Sequence, residues 1–407
     1  MRLLPEWVPR AARRYIYYHM LVAPSLFTGI MLPYYLLSTG YTVVDVGILY
    51  TLINMVSVPV QLALGKYFTF KDIRIGLAII DLLEILASFS YGLARGPLVA
   101  PAVVLGGVLE ALAGSLYFLY RAYERGVYPR ERLRSILVLH LVLPESTGIL
   151  SFIALGFAVH MLGPEWVPNV FLALGSYGFV QLAYILLFME PLVLAGEAST
   201  SGGGESGVSV LASLRSIMGR RLLKLYVAAD IIFFLAWGFA PQLALVYLVL
   251  ERFHSDILGA AIAEASISAA TVITGLLEDR YENASTTGLL LAGTIITVFA
   301  LLSINIIPSK VILLAPVFFA IRAGDTLLYL GKTEWFYRAI SREEAAILSS
   351  ITSSYRKIIR IITPTVAGLA ASMNPALPYT ICSLLLAIAV PLYLLASTQL
   401  NQTITRT

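Results

Sequence analysis

Residues 195–209 read AGEASTSGGGESGVS, and the fold follows from what this stretch interrupts. Five glycines and four serines in fifteen residues favour flexible coil over helix or strand. The rest of the chain has the opposite character. Its 407 residues are 58% hydrophobic and 13% charged, with a mean hydropathy of +0.84. Soluble domains run at about 45–50% apolar and about 25% charged. The polar stretch therefore reads as a hydrophilic joint in the middle of a membrane protein.

Apolar runs of roughly 20 residues, the length that crosses a bilayer, recur on both sides of the joint. Before it they cover 15–38, 42–64, 73–94, 98–120, 134–161 and 168–190. After it they cover 222–250, 256–277, 286–305, 309–331, 345–371 and 376–397. The prediction is an all-α polytopic protein with twelve transmembrane helices. Its parts are an N-terminal six-helix bundle (1–194), a cytoplasmic linker (195–215) and a C-terminal six-helix bundle (216–407). The opening MRLLPEWVPRAARR has no apolar core with a small-residue cleavage site, so no signal peptide is read there.

Basic residues orient the spans, because connections on the cytoplasmic side retain Lys and Arg. With the N-terminus inside, the inner segments hold Arg2, Arg10, Arg13, Arg14, Lys66, Lys71, Arg74, Arg121, Arg125, Arg130, Arg132 and Arg134. They continue with Arg215, Arg220, Arg221, Lys224, Arg280, Lys332, Arg338, Arg342 and Arg406. The opposite side holds Arg95, Arg252 and Lys310. A ratio of 21 to 3 predicts both termini in the cytoplasm, and a missed span would scramble the alternation. The localisation that follows is a multi-pass plasma-membrane protein, with membrane lipid as its first partner.

The two halves echo each other. ARRYIYYH before the first span matches GRRLLKLY before the seventh, and Pro33 and Pro241 stand 19 and 20 residues after Arg14 and Arg221. Asp45 to Gly47 (DVG) opens span two, as Asp256 to Gly259 (DILG) opens span eight. YRAYERGVYPRERLRS follows span four, and YRAISREEAAILSS follows span ten. Two parallel six-span halves related by pseudo-two-fold symmetry are a transporter layout.

Several classes of chemistry are excluded. One cysteine, Cys382, rules out a disulfide framework and a thiolate metal site. The four histidines show no metal-ligand spacing, so neither metal nor cofactor is expected. A formal charge of +4 does not suggest nucleic acid. No phosphate-binding glycine loop, dinucleotide fingerprint, HExxH or GxSxG occurs, so an enzyme is not expected.

Charges at membrane depth carry the functional signal. SSYRKIIRIITP (353–364) places Arg356, Lys357 and Arg360 inside span eleven. A basic residue at the bilayer centre costs about 2.5–3.5 kcal/mol on the insertion scale, so these side chains should face protein or water. Ser349, Thr352, Ser353, Arg356, Arg360 and Thr363 fall within about 100° of helical arc, and Lys357 lies beside this stripe. In span ten, Arg322, Asp325, Thr326 and Tyr329 share a similar arc of about 100°. Arg322 and Asp325 stand at i, i+3, a pairing distance. The stripe reads either as a basic face for an anionic group or as a set of structural ion pairs.

Acids also lie at membrane depth, and in the first half they stand without such a basic stripe. Glu110 in span four shares a face with Gly106, Gly107, Gly114 and Tyr117, and Glu145 follows Pro144 in span five. Asp230 lies in span seven and Glu264 in span eight. These four acids are proton-coupling candidates, or else partners for the bases of spans ten and eleven. Asp81 and Glu84 in span three read as structural. Tyr34, Tyr35, Phe233, Phe234 and Trp237 read first as packing.

The layout resembles the major facilitator superfamily. That family has an inner-loop motif G-x-x-x-D-R/K-x-G-x-R after span two, often echoed after span eight. Here GLLEDRYENA keeps Gly275, Asp279 and Arg280. GKYFTFKDIR keeps Gly65 and Arg74, with Thr69 in place of the acid. PTVAG (364–368) resembles the proline–glycine kink of span eleven. LPESTG keeps Pro144 and Gly148 without the drug-antiporter pattern. The resemblance implies that spans 1, 4, 7 and 10 line a central cavity, with 2, 5, 8 and 11 beside them. It also implies that Gly65, Arg74, Gly275, Asp279 and Arg280 form a gating loop.

The reading is a monomeric secondary active transporter of a small organic solute, anionic or zwitterionic, working by proton-coupled alternating access. Arg322, Arg356, Arg360, Asp325 and Tyr329 are its substrate-binding candidates. The alternatives are a non-transporting scaffold or receptor-like protein and a lipid flippase.

Overall fold

The computed structural model describes residues 4–65, 72–192, 221–240, 242–277, 284–339 and 342–404, and every regular element among them is a helix. The whole predicted linker, 195–215, and Asp279 and Arg280 of the predicted gating loop lie outside the described residues.

The chain divides into two compact units. Unit 1 comprises Met1–Gly40 and Leu52–Ser206; unit 2 comprises Tyr41–Thr51 and Gly207–Thr407. Unit 1 contains α1 (Arg10–Val22), α2 (Thr28–Ser38) and most of α3 (Val43–Gly65). It continues with α4 (Ile73–Gly92), α5 (Val99–Ser115), α6 (Phe118–Val127), α7 (Leu133–Leu162) and α8 (Val167–Phe188). Unit 2 contains α9 (Arg221–Gly238), α10 (Gln242–Glu251), α11 (Ile257–Leu276) and α12 (Thr286–Ser303). It ends with α13 (Leu314–Ala339), α14 (Arg342–Met373) and α15 (Leu377–Ile404).

Ten helical segments among the described residues are long and apolar enough to cross a membrane. Two further long helices, α4 and α14, are interrupted by charge: Asp81 and Glu84 in one, Arg356, Lys357 and Arg360 in the other. In the predicted first span, α1 and α2 are joined by a five-residue 3-10 turn at Ala23–Phe27. The break falls at Pro24, whereas Pro33 sits inside α2. Pro241, which the sequence pairs with Pro33, lies outside the described residues.

The paired openings of spans two and eight are both capped by acids, in different registers. Before α3, the Thr42 amide donates to Asp45 Oδ2 at 2.9 Å, and the Asp45 amide donates to Thr42 Oγ1 at 3.2 Å. This is a reciprocal capping box with the acid at the third helical position. Before α11, Asp256 is itself the cap, and its Oδ1 accepts from the Leu258 amide at 3.0 Å.

In unit 2 the start of α3 lies against α14 with no room between backbones. A Cβ added at Gly47 would stand 2.6 Å from the Pro364 carbonyl oxygen, and one at Gly368 would stand 2.7 Å from that of Val43. Thr51 Oγ1 donates to the Ile361 carbonyl at 2.8 Å, next to the gap in the ladder that Pro364 leaves. Small residues that admit backbones this closely are a usual means of packing helices in lipid.

Candidate functional site

Asp230 on α9 is the centre of the polar structure of unit 2. Its side chain is 1% exposed. Lys332 Nζ on α13 donates to Oδ1 at 2.5 Å, and Tyr393 on α15 donates to the same oxygen at 3.0 Å. Arg356 Nη2 on α14 donates to Oδ2 at 2.9 Å, and the Tyr355 hydroxyl donates to that oxygen too. A carboxylate offers about four acceptor positions, and here four donors fill them. Two cations face one anion.

Aromatic rings hold the cations from the other side. Lys332 Nζ lies 4.1 Å from the Phe233 ring centre and 5.5 Å from that of Tyr393. The guanidiniums of Arg356 and Arg360 lie 5.0 and 5.7 Å from the same ring, Phe234. A cation over an aromatic face gains about 0.5–2 kcal/mol. Phe233 and Phe234, read from the sequence as packing, therefore also hold charge.

The basic stripe on α14 faces away from its apolar surface. Ile358, Ile362, Leu369 and Met373 are 58%, 56%, 49% and 80% exposed. At about 100° per residue their mean direction lies roughly 120° or more from that of Arg356, Arg360 and Thr363. A lipid-facing apolar stripe on this helix thus leaves the arginines on another side. Arg356 is 38% exposed, and its buried Nε has no hydrogen-bond partner among the described residues.

A second pair lies on α13. Arg322 Nη1 reaches Asp325 Oδ2 at 3.2 Å, and Nε donates to Thr271 Oγ1 on α11 at 3.0 Å. Here too the arginine is 38% exposed. Tyr329, grouped with these residues by the sequence, is 58% exposed.

The remaining candidates are scattered. Glu110 is exposed on α5 with Tyr91 beside it, and Glu145 is half-buried on α7. Glu264 is half-buried on α11, near Tyr379. Arg74 pairs with Asp72 at 3.3 Å at the start of α4, Gly65 ends α3, and Gly275 lies in the last turn of α11. The sequence reads Lys332 as part of a cytoplasmic connection. It lies inside α13 with its side chain 13% exposed. Its signal was available: Lys332 stands seven residues after Asp325, two turns along the same face. Tyr355 and Tyr393 carried no comparable signal.

Unit 1 builds a different network, without a Lys or Arg at its centre. Tyr18 on α1 donates to Asp81 Oδ1 on α4 at 2.5 Å, and its hydroxyl lies 3.2 Å from that of Tyr120 on α6. Tyr117 donates to Glu84 at 2.8 Å. Tyr15 donates to Glu124 at 3.2 Å, and His140 Nδ1 on α7 lies 3.6 Å from the same oxygen. The His19 and His140 rings are 4.6 Å apart.

No protein-family model matches the sequence, and no curated protein matches it by sequence. Solved structures do match in shape. A POT family transporter in complex with a thioalcohol-conjugated peptide aligns with TM-score 0.67 at 14% identity, over 96% of this chain and 97% of that one. A POT family transporter in complex with 5-aminolevulinic acid aligns equally well. The nucleoside transporter NupG aligns with TM-score 0.64 at 10% identity, over 96% of this chain and 99% of the other. The chain has the fold of these transporters along nearly its whole length. It is a multi-pass helical membrane protein.

Proposed function

We propose that this protein is a secondary active transporter of the major facilitator type, carrying a small organic solute with an anionic group. Twelve spans in two six-helix halves, with α4 and α14 as the charged spans, fit the shape likeness and the distribution of Lys and Arg. Alternating access by rocking of the halves about a midplane site is the mechanism this layout serves. The plasma membrane and inward-facing termini follow from the basic connections.

The observation that carries the substrate class is the surplus of cations around Asp230. One carboxylate faces Lys332 and Arg356. Arg356 is the more accessible member, and its guanidinium and that of Arg360, both beside the Phe234 ring, form a basic face for a carboxylate or phosphate of the solute. Arg322 is a second accessible arginine on α13. In a non-transporting scaffold these charges would be sealed, but Arg322 and Arg356 are both 38% exposed.

The test is a thermal-shift screen of the purified protein against organic anions, cations and neutral sugars. Stabilisation by anions alone, lost in Arg356→Gln and Arg360→Leu proteins, is the expected result. Stabilisation by cations, or equal stabilisation of both variants, would remove the arginines from the site. Uptake of the best anion into proteoliposomes, tenfold or more slower with Arg360→Leu protein, completes it.

A further inference from the structure

Asp81 is the acid the transport site leaves unused, and its surroundings are unlike those of Asp230. It is 1% exposed, and about 12 Å of helix separate it from the start of α4. On α4 the exposed apolar residues Ile75, Leu82 and Leu86 form a stripe roughly 120° away, so Asp81 faces the interior of unit 1. Oδ1 accepts from Tyr18. Oδ2 is buried with no hydrogen-bond partner among the described residues.

Among the described residues, polar groups stand near it on its own helix and on its neighbours. Glu84 lies one turn along its own helix, and Arg74 at the start of that helix is engaged by Asp72. From α1 come Tyr15, Tyr18 and His19, with Tyr18 in contact. From α5 and α6 come Glu110, Tyr117, Tyr120 and Glu124, with Arg121 beside Glu124. From α8, Gln181, Tyr177 and Tyr184 point their polar ends at the Leu21 and Arg14 carbonyls of unit 1. No Lys or Arg among the described residues pairs with Asp81. The nearest charge acting on it is another carboxylate.

A buried carboxylate with one hydrogen bond, a like charge one turn away and no counter-ion is poorly solvated. A carboxylic acid in the same place loses far less, because only a neutral O–H is left unpaired. We infer that Asp81 is a proton-binding site, occupied in this conformation, with the proton on Oδ2 and the Tyr18 hydrogen bond kept on Oδ1. Uptake forms one O–H bond from an aqueous proton and takes the side chain from −1 to 0; nothing else is bound. Glu84, one turn along α4, is itself held by the Tyr117 hydroxyl at 2.8 Å. Use of this proton to drive transport rests on the function proposed above; its binding does not.

The test is infrared spectroscopy of the purified protein in micelles at neutral pH, comparing wild type with Asp81→Asn, and thermal unfolding of both. Asparagine keeps the shape and the acceptor for Tyr18 and replaces the carboxyl by a neutral amide that cannot ionise. A protonated-carboxyl C=O band present in wild type and absent in Asp81→Asn, with the unfolding midpoint unchanged or raised, is the expected result. Tyr18→Phe moves the same band to higher frequency by removing its hydrogen bond. A wild type without a protonated-carboxyl band overturns the inference whether or not the variants fold. So does a band that survives Asp81→Asn, or an Asp81→Asn midpoint lowered as far as that of Asp230→Asn. Because no substrate is involved, the proton site and the transport reading fail separately.

Discussion

Asp230 and Asp81 are buried almost equally, at 0% and 1% exposure, yet each is held by a different kind of neighbour. Asp230 meets a lysine, an arginine and two tyrosines drawn from three other helices. Among the described residues Asp81 accepts a hydrogen bond from one tyrosine. The first is an anion fixed by cations. The second has a tyrosine donor and another carboxyl, Glu84, one turn along its helix, and no Lys or Arg among the described residues pairs with it. Burial alone therefore does not tell what an intramembrane carboxyl does; the charges around it do.

Substitutions separate the two cases, and the largest effect belongs to Asp230. Asp230→Ala leaves Lys332 and Arg356 facing each other with no anion between them, and should cost about 3–5 kcal/mol. Chemical unfolding in micelles measures it, and a loss under about 1 kcal/mol would mean the hub does not hold unit 2 together. Next come its cations. Lys332 is 13% exposed and Arg356 38% exposed, so the lysine should matter more to stability. Lys332→Met should cost about 3 kcal/mol and Arg356→Gln about 1 kcal/mol, since water screens it. The reverse order would relocate the structural pair to the arginine.

A smaller pair of effects compares the tyrosines. Among the described residues Tyr18 is the one donor to Asp81, whereas Tyr393 is one of four on Asp230. Tyr18→Phe should cost about 1–3 kcal/mol and Tyr393→Phe about 0.5–1.5 kcal/mol. Equal losses would erase the distinction between a lone and a shared donor. Smallest of all is Asp81→Asn, with a change in stability within about 0.5 kcal/mol, against the large loss for Asp230. A destabilisation of several kcal/mol would show a charged Asp81 after all.

Much of the polar structure of unit 2 was legible in the sequence, in pieces. The stripe of Arg356 and Arg360 and the Arg322–Asp325 spacing follow from helical periodicity, and the structure has the i, i+3 pair. Asp230 was singled out because an acid at membrane depth demands a reason. What remained hidden was the pairing. Nothing local in span seven says that Asp230 meets Lys332, 102 residues later, or Tyr393, 163 residues later. Lys332 was misplaced because a basic residue near a span end reads as a connection until packing shows it buried. Asp81 was read as structural because its spacing from Glu84 is local, whereas its missing counter-ion is a three-dimensional fact.

The sequence by itself determined that this is a helical membrane protein, since hydropathy and basic bias add along the chain and need no contacts to be read. It also determined which faces of span ten and span eleven are polar, since a helix repeats every 3.6 residues. Only the tertiary structure decided which acid is answered by cations and which is left to a single hydroxyl. That choice rests on how helices pack side by side, which brings together residues a hundred positions apart.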